Sequence, residues 1–300
     1  MSSQEDDDNV PKKKMMVLKK MTECHFQPLF TEKMKKAAPA VPKKIVYGQT
    51  FTLTFCETAE NHKGMQMIGD IADRGFTKAE LDIARAWFTS KGINTILVCL
   101  NDFAPKEIET EPAYLLIAKN GVSAMVNPDQ LYAEQDSLEK DSKAYMYGRV
   151  VNKKARHNLC FANFRQSADY ENKKGTVVHF EDVPNTQAVK DTLAGIFPGN
   201  EHMQNLVCEG NYYYDTPKTF IGFHGDKERR IVVAARLGDD FPIFYQWYHQ
   251  SKPIGKLFSY TLKHGDIYFM SDKTVGSDWM SSSKYTLRHA AALDKKLIGL

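Results

Sequence analysis

The chain has 300 residues, 42% of them hydrophobic and 11% aromatic, with 40 basic against 37 acidic side chains and a net charge of +3. That is ample material for one large domain or two modest ones around a packed core. No apolar run approaches the roughly 20 residues of a membrane helix, and the start Met-Ser-Ser-Gln-Glu-Asp-Asp-Asp lacks the apolar stretch of a secretory signal, so neither membrane insertion nor secretion is expected. The cysteines Cys24, Cys56, Cys99, Cys160 and Cys208 are scattered and form no CxxC pair. They read as reduced thiols of a cytoplasmic or nuclear protein and argue against a zinc site.

In chain order, residues 1–46 hold ten lysines against six acids, together with Pro11, Pro28, Pro39 and Pro42. This predicts a basic disordered arm, suited to holding DNA or RNA through charge or to serving as a solvated tail or import signal. Residues 45–56 alternate as a strand does. Thr77 followed by Glu80 is a capping box, and the helix it opens carries Leu81, Ile83, Ala84, Ala86, Trp87 and Phe88 and stops at Gly92. Residues 95–100 read as a short buried strand. Segments 114–118 and 123–126, joined across Asn120-Gly121, read as a hairpin, and 128–143 as a helix. These elements form a predicted α/β module over 47–145, of unknown role. His62, in Glu60-Asn61-His62, reads either as a functional residue or as part of a surface polar cluster, the latter preferred.

From 146 to 300 the pattern changes to strands with Gly/Pro turns, at 206–214, 231–237, 241–248, 257–262, 267–270 and 285–290, with one helix at 187–197. Evenly spaced strands of this kind predict a double-sheet jelly roll. The expected fold class is therefore α+β and β-rich, with the smaller α/β module N-terminal to the jelly roll.

Within that region His224-Gly225-Asp226 stands ahead of the apolar run at 231–235. Residues i and i+2 on an extended backbone share a face, so the imidazole and the carboxylate can hold one metal ion together. A second histidine from a distant strand would complete two nitrogens and one carboxylate, a set that suits non-haem Fe(II). His249, His264 and His289 are the candidates. Glu228, Arg229 and Arg230 follow the triplet, placed either to support Asp226 or to lie in a solvated turn. Trp247, Tyr248 and Trp279 are either stacking surfaces for a flat substrate or core aromatics.

The order Asn211-x-Tyr213, His224-x-Asp226, Gly265-Asp266 before a strand, then His289, resembles the AlkB-like 2-oxoglutarate- and Fe(II)-dependent dioxygenases, over about the last half of the chain. The resemblance implies a jelly-roll dioxygenase domain with His224, Asp226 and His289 as iron ligands and 2-oxoglutarate and O2 as co-substrates. It implies that Asn211 and Tyr213 contact 2-oxoglutarate, that His264 belongs to a structural loop, and that a nucleic-acid base is hydroxylated or demethylated. Alternatives are the same chemistry on a protein side chain or small molecule, or a catalytically silent binding module. The family holds 2-oxoglutarate with a basic residue one strand beyond the distal histidine, and no arginine follows His289. Lys295, six positions on, would share the inward face of an unbroken strand, whereas Lys296 would not. A competing register makes Arg288 the carboxylate ligand, at the cost of leaving the metal without a third histidine.

Overall fold

Residues 50–56, TFTLTFC, are β-branched and aromatic almost throughout, and in the computed structural model, which describes residues 46–300, they form strand β1 (Thr50–Cys56), buried along its whole length. The short strands β2 (Thr58–Glu60) and β3 (Met67–Gly69) pair with each other. Helix α1 (Lys78–Ser90) starts at the expected capping box, with Thr77 accepting from the Glu80 amide and Glu80 reaching back. After it come β4 (Thr95–Cys99), β5 (Tyr114–Ala118), α2 (Pro128–Ser137), β6 (Lys143–Met146), β7 (Arg149–Asn152), β8 (His157–Ala162), β9 (Val177–His179) and α3 (Pro184–Ile196). The remaining strands are β10 (Val207–Tyr213), β11 (Phe220–His224), β12 (Val232–Gly238), β13 (Phe241–His249), β14 (Lys252–Leu262), β15 (Ile267–Met270) and β16 (Thr286–Ala292).

Two sheets carry the architecture. The larger runs β4-β5-β15-β12-β1-β10-β8-β9 and the smaller β11-β16-β13-β14, and every pairing within them is antiparallel except that of β8 with β9. The protein is thus β-rich α+β. Phe51, Leu53 and Phe55 on one face of β1, with Val233, Ala235 and Leu237 of β12, share a core with Leu81, Ala84 and Phe88 of α1 and with Val189 and Leu193 of α3. The helices therefore cover one face of the large sheet. On its other face Val232, Ala234 and Met270 pack with Ile243, Tyr245 and Leu287 of the small sheet. The side chains of Thr52 and Thr54, in alternation with the phenylalanines, look into the space between the sheets.

This arrangement corrects two expectations. Residues 47–145 are not a separate module, because residues 45–300 form one compact unit. Strand β1 lies between β10 and β12, and β5 pairs with β15. The segment 123–126 is no returning strand either, since residues 121–124 form a 3-10 turn after Asn120 (φ 51°). Its backbone is bonded to the 263–266 turn instead: the Asn120 amide donates to Asp266 Oδ1 at 2.8 Å and the Val122 amide to the Gly265 carbonyl at 3.0 Å. The expected basic arm lies outside the described residues. No helix among those described is long and apolar enough to cross a membrane.

Candidate metal centre

His224 ends β11, and its register partner across the small sheet is His289 on β16, so the two imidazoles arrive side by side, ring centres 4.4 Å apart. Asp226 is held on the following turn, where its amide donates to the Val275 carbonyl at 3.0 Å. Gly225 permits that turn. A Cβ there would stand 2.0 Å from the Gly276 carbonyl oxygen, a contact no side chain tolerates. The triplet is thus confined to glycine at its centre by the backbone it passes.

Asp226 Oδ1 lies 3.4 Å from His224 Nε2 and 3.6 Å from His289 Nε2. One donor atom from each of the three residues falls within 4.8 Å of the others, the group among the described residues whose spacing suits a metal ion. His224 Nδ1 is 2.8 Å from the Gly222 carbonyl, which can only accept. The proton therefore sits on Nδ1 and the Nε2 lone pair faces the carboxylate. Burial, reinforced by His224 and Arg229 against the pull of Asp226, pushes the His289 imidazole down to about 3, so it is neutral. Burial alone would raise Asp226, but the Arg229 guanidinium and the contact with His224 hold it below the usual carboxylate range. Two neutral imidazoles and one anionic oxygen on a common side, without a thiolate, fit a first-row divalent ion such as Fe(II).

Behind Asp226 lies Arg229, buried, with Nε 3.8 Å from Asp226 Oδ2 and Nη2 bonded to Glu209 and, at 2.8 Å, to Glu228. The triplet opens on a cavity of about 820 Å³ between the sheets. Asn211 and Tyr213 both line it. The Asn211 carboxamide is engaged: Oδ1 accepts from Arg156 Nε at 2.5 Å and Asn158 Nδ2 at 2.8 Å, while Nδ2 donates to Glu209 at 3.1 Å.

Several expected residues lie elsewhere. β16 ends at Ala292, and Asp294 caps a 3-10 turn that begins at Lys295. The unbroken strand assumed for Lys295 does not exist. Its side chain is exposed, 5.8 Å from the Phe244 ring, and outside the cavity wall. Arg288 points away from His289, as strand neighbours must, and its guanidinium lies 4.1 Å from Tyr248 and 5.3 Å from Trp279. Neither residue can anchor a co-substrate in this cavity. Trp247 is core, its indole donating to the Leu100 carbonyl at 2.8 Å. Tyr248 is occupied by Arg288, and Trp279 reaches the cavity wall. His249 sits against Tyr285. His264 accepts from the Gly238 amide at 3.0 Å, the structural placement expected of it. His62 is half-buried and lines the cavity.

No protein-family model matches the chain. It is 46% identical over 250 residues to the uncharacterized protein R156 of Acanthamoeba polyphaga mimivirus, a match covering 82% of this chain and 97% of that protein. The chain belongs to the family of this mimivirus protein. In this family member the cavity also holds residues that the sequence did not single out. Arg156 and Glu209 line its wall, and so does Arg236, which is buried and stands at the end of an apolar strand. The signal for Arg236 was alternation: Val232, Ala234 and Arg236 share one face of β12, so an arginine continues an inward apolar row.

Proposed function

We propose that the chain is an Fe(II)- and 2-oxoglutarate-dependent dioxygenase on a double-sheet jelly roll, AlkB-like in its site order. The observation that carries this is the trio His224, Asp226 and His289, donor atoms within 4.8 Å, at the wall of a cavity large enough for co-substrate and substrate. Such a set on one side of a metal leaves positions open for exogenous ligands. The path of the chain supports the jelly roll. It alternates between sheets, with β10, β12 and β15 in the large one and β11, β13 with β14, and β16 in the small one. The place between β10 and β12 is filled from the other end of the chain, by β1.

Iron with 2-oxoglutarate and O2, when bound, supplies oxidation of a substrate C–H bond. The protein's share is positional. Gly222 fixes the tautomer of His224, Arg229 orients Asp226 and keeps it ionised, and burial keeps His289 unprotonated. Val232, Ile243 and Met270 furnish an apolar wall that limits water near the trio. For the substrate, the choice of a nucleobase rests on Trp279, an aromatic side chain on the cavity wall.

The test is succinate release from 2-oxoglutarate under air with Fe(II), first without substrate and then with single-stranded oligonucleotides carrying methylated bases. Wild type should release succinate and His224→Ala should not. Equal release by both, or none from wild type with Fe(II) bound, contradicts the proposal, the latter in favour of a silent binding module.

A further inference from the structure

Arg236 is 1% exposed, yet its Nε and Nη1 have no hydrogen-bond partner. No carboxylate among the described residues lies within ion-pair distance of it. Asp266, the acid close enough to be felt, spends its oxygens on the amides of Asn120 and Lys263. Directly across the sheet Thr52 of β1 is the register partner of Arg236, and its Oγ1 is buried and unpartnered as well. Asn211 is the next residue in that row. The rings of Phe241 and Tyr213 flank the guanidinium at 5.3 and 6.0 Å. Burial lowers the pKa of Arg236, but a guanidinium remains charged in a protein. A lone buried cation with two idle donors is costly and rare. Its position between the sheets, on the cavity wall, makes it accessible to a ligand.

The depth of this cation matters. On β13, His289 is paired with Tyr245, whereas the ring beneath Arg236 belongs to Phe241, four residues along the same strand. The trio and the guanidinium therefore occupy different levels of one cavity. We propose that Arg236, with Thr52, forms a carboxylate subsite on the cavity floor that holds the far end of a short diacid whose other end reaches the His224–Asp226–His289 centre. On the dioxygenase reading, on which the choice of diacid rests, that ligand is 2-oxoglutarate. The role expected of a basic residue beyond His289 then falls to β12, because Lys295 lies on a 3-10 turn and the strand lying between β10 and β12, β1, presents Thr52 instead of a base.

The experiment is a calorimetric titration of the full chain, loaded with Mn(II) as a redox-silent stand-in, with 2-oxoglutarate, glutarate and inorganic phosphate. Arg236→Met should weaken 2-oxoglutarate and glutarate by roughly 10- to 150-fold, the worth of a charge-assisted bond, with Mn(II) affinity unchanged. Arg236→Lys should recover only part, since an ammonium lacks the two-pronged fork. If Arg236→Met fails to fold, Arg236→Lys carries the test through its smaller loss of diacid affinity. Lys295→Ala and Arg288→Ala should bind as wild type does. The ligand-free melting temperature adds a readout that a structural role would move the other way: Arg236→Met should raise it, because an unpaired buried charge is removed. Unchanged diacid affinity in both Arg236 variants overturns the proposal, as does a loss confined to Lys295→Ala or Arg288→Ala. Phosphate binding as tightly as glutarate and through Arg236 also overturns it, in favour of a general anion site. The two readings fail separately: loss of Mn(II) binding in wild type removes the metal centre, and glutarate titrated into metal-free protein still tests Arg236.

Discussion

Arg229→Met is the perturbation whose consequences the structure constrains most. The guanidinium is 5% exposed and touches three carboxylates: Glu209, itself 6% exposed, Glu228 at 2.8 Å and Asp226 at 3.8 Å. Removing it leaves Glu209 and Asp226 as uncompensated anions in a buried region, and breaking a buried pair in this way costs about 3–5 kcal/mol. For a domain of this size each kcal/mol is worth roughly 2–4 °C, so the melting temperature should fall by roughly 6–20 °C. Adding Glu209→Gln should recover a large part, because one stranded charge is neutralised. Independently, Asp226 loses its orienting partner, and metal affinity should fall by roughly 10- to 100-fold. Thermal unfolding in metal-free buffer separates stability from binding, and a Mn(II) titration of the folded variant measures the second effect. A melting temperature within about 2 °C of wild type together with unchanged Mn(II) affinity would refute both the electrostatic argument and the positioning role.

Gly225→Ala should destroy metal binding even where the chain folds, since the new Cβ would meet the Gly276 oxygen at 2.0 Å and displace the Asp226 turn; retained Mn(II) affinity contradicts this. The tryptophans should separate cleanly: Trp247→Ala opens a core cavity worth about 3–5 kcal/mol, visible in denaturant unfolding. Trp279→Ala should leave stability nearly unchanged and weaken a stacked base by about 1–3 kcal/mol, read by oligonucleotide binding. Burial raises Glu60 on the cavity wall from 4.5 to about 7, so the folded state holds more protons than the unfolded one between those values. Its contribution to stability falls as pH rises through that window, and Glu60→Gln should flatten the measured stability–pH slope there.

The meeting of His224, Asp226 and His289 was legible because its logic is local. An HxD triplet puts two donors on one face, and a later histidine on a strand can complete the set. What could not be read was the pairing that brings them together, the register of His224 with His289 and the glycine contact between residues 225 and 276. The capping box of α1 was equally plain, since all its bonds lie within four residues. The domain boundary failed for the opposite reason. β1 reads as a strand from either context, and only its pairing with β10 and β12, distant in sequence, shows that it completes the large sheet. Lys295 failed because a face argument assumes an unbroken strand, and Asp294 caps a turn where the strand has already stopped. Arg236 was hidden by its surroundings. An arginine after Val-Val-Ala-Ala reads as a strand end reaching solvent, and burial of the row it continues is a property of the assembled sheets.

The central claim is that His224, Asp226 and His289 hold one iron. Anaerobic equilibrium dialysis against Fe(II), with the metal counted per chain, tests it directly across wild type, His224→Ala, Asp226→Ala, His289→Ala and His264→Ala. The account predicts one iron per chain in wild type and in His264→Ala, and loss of the ion in each of the other three. Full occupancy in His289→Ala with loss in His264→Ala, or no iron in wild type, would contradict it.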